Sequence, residues 1–328
     1  MDLHRPRFMF AIVMTLLLVA VAAPVFAAGY ESIIDDDTNA FVPGPGTFDR
    51  NYTFGTRWAR YNEAGAMPRW ANHLAARIGG KGDDVTRRYG TALGQEMYTP
   101  DAISNPKPIL NDRPYAGWLY GSAFVAASDA YRERSVELRV GMVGPKAQAQ
   151  QAQTAWHSVT GVRLPRGWDH QIGNEVGMQA IVTQRWRPNG YQRHFDAVPH
   201  VRASVGNVLT EAAAGVTLRA GLPLSDDFGP GMTTAPGTGN TSGAHARNFQ
   251  MYAFARVEGR AVAHEIFLDG NTFSHSQRVH RVPLVGESQL GAGVRYRSIG
   301  IRYTFSYTTQ EFRERADSQE YGSFGFSF

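Results

Sequence analysis

Apolar and polar positions alternate with a period of two along most of this chain, the pattern of strands with one apolar face. In the last segment Gly322, Phe324, Phe326 and the terminal Phe328 share one phase, and Tyr321, Ser323, Gly325 and Ser327 the other. Ile299, Ile301, Tyr303, Phe305 and Tyr307 likewise oppose Gly300, Arg302, Thr304, Ser306 and Thr308. Further back, Val136, Leu138, Val140 and Met142 oppose Ser135, Glu137, Arg139 and Gly141. Arginines recur within the polar phase. A soluble sandwich puts its apolar phase in the core, whereas a membrane barrel turns that phase to lipid and the arginines to a wet lumen. The alternation alone fits both.

Targeting separates them. Residues 1–28 read as a cleaved secretory signal peptide: Arg5 and Arg7, an apolar stretch from Phe10 to Ala23, then small residues to Ala28. The apolar run is shorter than the ~20 residues of a spanning helix. Mean hydropathy is −0.32, and no long apolar run follows, so further membrane embedding must use strands. Together with a terminal aromatic, this predicts an all-β transmembrane barrel over residues 29–328, exported to the bacterial outer membrane.

Alternating segments start near Tyr30, Tyr52, Thr91, Tyr115, Ser135, Gly173, Phe195, Thr210, Phe249, Ala261, Ser288, Ile299 and Gly322. Single-chain bacterial barrels have even strand numbers, so the two runs meeting near Glu258-Gly259 are read as one, giving twelve antiparallel strands. Long interruptions fall at 62–88, 100–113, 144–170, 225–246 and 269–287, with short helices expected in the extracellular loops. The stretch from Gly237 to Gly243 contains only Gly, Thr, Asn and Ser and is expected to be mobile.

Composition changes little in this picture. Cysteine is absent, so backbone pairing and burial must hold the fold without disulfides. The formal net charge of +4 suits contact with anionic headgroups and makes no case for nucleic acid. A monomer is expected.

Candidate chemistry sits at strand ends and in loops. Asp35-Asp36-Asp37 closes the first strand, with Asp49 and Thr53 following. Crowded carboxylates need either water or a cation, so this is a solvated acidic loop or a site for a hard ion such as Ca²⁺. Gln153 and His157 lie four apart in a stretch of helix formers and so share a helix face. Neutral histidine can take a proton from water; with ten histidines in the chain, an exposed or structural one is the other reading. Asp112-Arg113-Pro114-Tyr115-Ala116-Gly117-Trp118 enters a strand, where Trp118 and Tyr120 fit an interfacial aromatic belt.

These motifs also carry a resemblance. Asn111 to Tyr120, Gly141 to Ala147 followed by Gln153 and His157, and Gly167-Trp168-Asp169-His170-Gln171-Ile172 together resemble the outer-membrane lipid A deacylase family (LpxR-like). The resemblance implies a twelve-stranded barrel with an active site near the outer rim, and calcium-dependent hydrolysis of an ester-linked acyl chain of lipid A in lipopolysaccharide. Carried over by motif, it implies His157 as base, Gln153 as the residue orienting base or water, Thr53 and Asp35 as catalytic neighbours, and Asp36 and Asp37 as calcium ligands. Thr53 shares a phase with Gly55 and Arg57 and is therefore expected to face the lumen. The family's Lys-Arg pair falls on Asn105-Pro106, leaving Lys107 and Arg113 as headgroup candidates. Its glutamate after the histidine falls on Arg163, with Glu175 as the replacement carboxylate. The other function the chain permits is a non-catalytic barrel, structural or pore-forming, that keeps this fold.

Overall fold

The computed structural model describes residues 29–37, 51–62, 67–79, 84–190, 194–224, 227–229, 249–315 and 318–328. The expected signal peptide, Asp49 and the stretch from Gly237 to Gly243 lie outside the described residues. Twelve strands form one closed antiparallel barrel in which each pairs with its sequence neighbours: β1 Gly29–Asp36, β2 Asn51–Asn62, β3 Thr86–Thr99, β4 Ala116–Ser128, β5 Arg132–Val143, β6 Glu175–Trp186, β7 Phe195–Gly206, β8 Leu209–Leu222, β9 Phe249–Glu265, β10 Leu284–Tyr296, β11 Ile299–Thr308 and β12 Gln319–Ser327. The run across Glu258-Gly259 is one strand, as expected from the even-number rule.

Closure is between β1 and β12, from Glu31 opposite Ser327 to Asp36 opposite Gly322. Phe328 completes the seam: its N–H donates to the Tyr30 carbonyl (3.1 Å), the reciprocal bond is 2.8 Å, and the two rings stack. A barrel sealed this way has no edge strand to template aggregation. The start of β1 and the end of β12 therefore lie on one rim, the terminal rim; β1, β3, β5, β7, β9 and β11 end at the opposite, loop rim.

The two phases separate cleanly. Trp58, Leu93 and Leu138 are about half exposed on the outside, whereas the inner phase pairs charges across the lumen. Arg57 of β2 meets Glu137 of β5 at 3.1 Å, and Arg139 donates to the same carboxylate at 3.1 Å. Farther round, Glu258 of β9 accepts from Arg202 (2.7 Å) and lies 2.8 Å from His200. At the loop rim, a short helix, Ile266–Asp269, drives Phe267 into the mouth, where it stacks on Tyr98 at 4.0 Å and packs with Trp118. Among the described residues the lumen is thus crossed by paired charge and narrowed at its mouth by aromatics, around a cavity lined by Glu96, Arg113, Arg139, Arg260 and Glu287. Reconstituted in planar bilayers, the protein should give no steady conductance; porin-like open steps would contradict a lumen obstructed by these ion pairs.

Two helices sit outside the barrel. α1 (Arg69–Gly79) near the terminal rim buries Ala71 and Ala75 against Val125 on the outer face of β4, with Tyr89 of β3 alongside. It occupies what the alternation pattern leaves as the bare 62–88 interruption. α2 (Ala149–Thr160) lies at the loop rim and carries the candidate base.

Candidate active site on the outer wall

Strand register places a row of outward positions across four strands: Asp36 of β1 opposite Phe54 of β2, Phe54 opposite Met97 of β3, and Met97 opposite Gly117 of β4. α2 docks on this row. A Cβ on Gly117 would come within 2.5 Å of the Ala149 Cβ, so only glycine lets the helix sit flush on β4. The outward Gln95 side chain donates to the Ala147 carbonyl at 2.7 Å and fixes the turn that leads in. Met97, Ile103, Tyr115, Ala149 and Trp168 then form an apolar cluster, flanked by Phe54 and Ala152.

Ala149, Gln153 and His157 are buried and spaced by four, one stripe of the helix. Gly161 ends the helix in the left-handed region (φ 73°), its N–H on the His157 carbonyl at 2.9 Å. The chain doubles back there, and the Arg163 carbonyl meets His157 Nδ1 at 2.6 Å. A carbonyl can only accept, so in the neutral ring the proton is on Nδ1 and the basic lone pair on Nε2. Position 163 thus orients the imidazole through its backbone. The replacement carboxylate expected at Glu175 is engaged elsewhere, accepting from the Asn207 and Asn271 amides and the Thr272 N–H at 2.7, 3.2 and 2.9 Å.

One turn before His157, the Gln153 Oε1 accepts from the Trp168 indole N–H at 2.7 Å. Its Nε2 is buried and has no hydrogen-bond partner among the described residues.

Thr53 does not face the lumen. A β-bulge between Tyr52 and Phe54 inserts Thr53 as an extra residue and reverses the phase of β2. Tyr52, not Thr53, turns inward onto Tyr98 and Tyr321. Thr53 is left sharing a 2.7 Å hydrogen bond with Thr99, which has the outward phase of Met97.

The three aspartates do not act as one cluster either. The pleat sends Asp35, opposite Gly55, to the lumen side, where Tyr52 donates to its carboxylate at 2.8 Å. A Cβ on Gly55 would lie 1.7 Å from the Tyr52 hydroxyl, so a side chain there would have to displace the tyrosine. Asp36 takes the outward phase opposite Phe54, and the Asp37 N–H reaches the Thr53 carbonyl at 3.4 Å. Asp35 is therefore separated by the wall from the stripe that holds His157.

Arg113 is also on the inner side. It is buried over the Tyr98 ring and pairs with Glu311 at 2.8 Å and Glu265 at 3.7 Å, so it cannot serve a headgroup approaching from the lipid face. Lys107 is exposed in the β3–β4 loop, in a turn made by its N–H on Asn105 Oδ1. The neighbouring Pro106 carbonyl is 3.1 Å from His170, on the 3₁₀ turn that also carries Trp168. Lys107 thus stays next to the Trp168–His170 turn.

Among the described residues no three of His, Asp and Glu lie close enough together to hold a metal ion. Hard oxygens are nevertheless present. Asn51, buried and opposite Thr99, adopts φ 63°, and its side-chain oxygen has no partner among the described residues. An amide oxygen together with carboxylates is the hard-oxygen donor set that suits calcium. Thr99, Asn51 and Trp168 take their place in this site from strand register and loop packing. Only Trp168 belongs to a motif marked by the sequence.

A family model described as outer membrane protein LpxR matches residues 9–328. The structure of LpxR from Salmonella typhimurium superposes with a TM-score of 0.74 at 20% identity, covering 92% of this chain and 99% of that one. At that identity the likeness speaks for the fold. The translocator domain of the autotransporter NalP from Neisseria meningitidis aligns over 99% of this chain and 96% of its own, with a TM-score of 0.37 and 11% identity. No curated protein sequence matches the chain.

Proposed function

The chain belongs to the LpxR family of outer membrane proteins, and from that premise we propose that it is a calcium-dependent hydrolase removing an ester-linked acyl chain from lipid A. The observation that carries this reading is the buried His157, its Nδ1 proton fixed on the Arg163 carbonyl, on a helix laid against the lipid-facing wall. A base outside the barrel can meet an acyl chain that never leaves the bilayer.

His157 Nε2 takes a proton from water, and the water oxygen adds to the acyl carbonyl carbon. Collapse of the tetrahedral intermediate breaks the ester C–O bond, and the imidazolium returns its proton to the departing sugar oxygen. The carboxylates of Asp36 and Asp37, with the Asn51 amide oxygen, are the residues that would hold calcium. A bound calcium would supply positive charge to the carbonyl oxygen, commonly worth several kcal/mol in the transition state. Lys107, exposed in the β3–β4 loop, is the cation offered to an anionic headgroup.

Fatty-acid release from lipid A in detergent micelles tests this. A calcium chelator should abolish release, and added calcium should restore it better than magnesium, which demands a stricter octahedral cage. Asp36→Ala should fold, judged by heat-modifiable gel mobility, and be inactive. Full activity in excess chelator would overturn the metal-dependent mechanism.

A further inference from the structure

We infer that Trp168 is a positioning residue that presents the Gln153 amide N–H₂ to the reacting carbonyl as an oxyanion donor. This rests on the hydrolase reading above. An indole N–H donates and never accepts, so its 2.7 Å contact identifies the Gln153 oxygen and leaves the N–H₂ end pointing the other way. The amide orientation is thereby dictated by chemistry, where a glutamine with interchangeable partners would leave it open.

The N–H₂ end is the informative part. It is buried without a partner among the described residues, and it makes no bond to His157, although the two are one turn apart on the same stripe. A structural glutamine would be satisfied at both ends, since buried donors without acceptors are costly. A donor preset beside the base suits an acceptor that arrives with substrate and gains charge during reaction, which is the arrangement of an oxyanion hole. An N–H₂ group cannot accept the proton of the base, so this role differs from orienting His157 by acceptance.

Trp168 is held firmly enough to impose this. It is 1% exposed, its ring lies 4.9 Å from that of Tyr115, and Met97, Ile103 and Ala149 enclose it. Tyr115 is itself tied by its hydroxyl to the Ile103 carbonyl at 2.9 Å. The indole therefore links the wall, the β3–β4 loop and α2 at the point where the amide must not rotate.

The test is a kinetic cycle on lipid A in detergent micelles. Trp168→Phe keeps a ring in the cluster and removes the N–H. Gln153→Glu keeps the acceptor for Trp168 and removes the donor, so it reports even if the aromatic variant folds poorly. Gln153→Glu should lower kcat by roughly 10²–10³-fold with KM little changed, as loss of one oxyanion donor does. Trp168→Phe should lower kcat by at least roughly tenfold, leave the acidic limb of the pH profile in place because His157 is untouched, and add nothing in a Gln153→Ala background. Wild-type kcat in Gln153→Glu, or additive losses in the double variant, would overturn the inference while a dead His157→Ala left the hydrolase reading standing. A wild-type protein that leaves lipid A intact would overturn both.

Discussion

Replacing His157 with alanine should slow lipid A deacylation by roughly 10²–10⁴-fold, the usual share of general acid–base catalysis. The barrel should be unaffected. His157 belongs to a loop helix on the outer wall, outside the strand ladder, and its Nδ1 meets a backbone carbonyl. Turnover by the purified variant in detergent micelles, with heat-modifiable gel mobility as the folding control, checks both halves. Because the Nδ1 proton is held by the Arg163 carbonyl, no carboxylate is needed to orient the ring. Arg163→Ala, which keeps that carbonyl, should therefore retain most of the activity, and a loss comparable to that of His157→Ala would show that the side chain takes part.

The largest expected effect on stability comes from the lumen. Glu258 is buried and accepts from Arg202 and Arg256 while facing His200. Glu258→Ala removes the carboxylate that Arg202 and Arg256 share in the barrel interior and leaves Arg202 with Glu211, and breaking such a buried pair costs on the order of 3–5 kcal/mol. Glu258→Gln, which keeps an acceptor but not the charge, should lose less. Urea unfolding in lipid vesicles, followed by gel mobility, measures the difference; an alanine variant with the wild-type midpoint would contradict a paired, water-poor lumen.

Twelve strands are legible because lipid on one side and paired charge on the other impose alternation wherever the wall is bare. Where the wall is covered, the signal fades. The first residues of β3, from Thr86, escape the pattern because Tyr89 there packs under α1 instead of meeting lipid. α1 itself has a readable signature in Ala71, Leu74, Ala75 and Ile78, spaced as one helix face, but it sits in a segment defined only by the absence of alternation. The site is legible in part. Gln153 and His157 share a buried stripe as their spacing requires. Thr53 defeats the phase argument, because a bulge leaves no mark in residue types yet exchanges the faces of every position beyond it. Asp35 and Asp36 could have been separated by extending the period of two to the strand's last residues. Read as a run of like charge, they conceal that the wall passes between them. Arg113 looks like a surface cation until Glu311, 198 positions away, closes on it.

Mass spectrometry of lipid A from cells making the wild-type protein, the His157→Ala variant or neither tests the central claim most directly. A species lighter by one ester-linked acyl chain is expected only in the wild-type sample, with equal amounts of folded barrel in both protein-bearing membranes. Lipid A of unchanged mass in the wild-type sample, or the same lighter species in the His157→Ala sample, would contradict it.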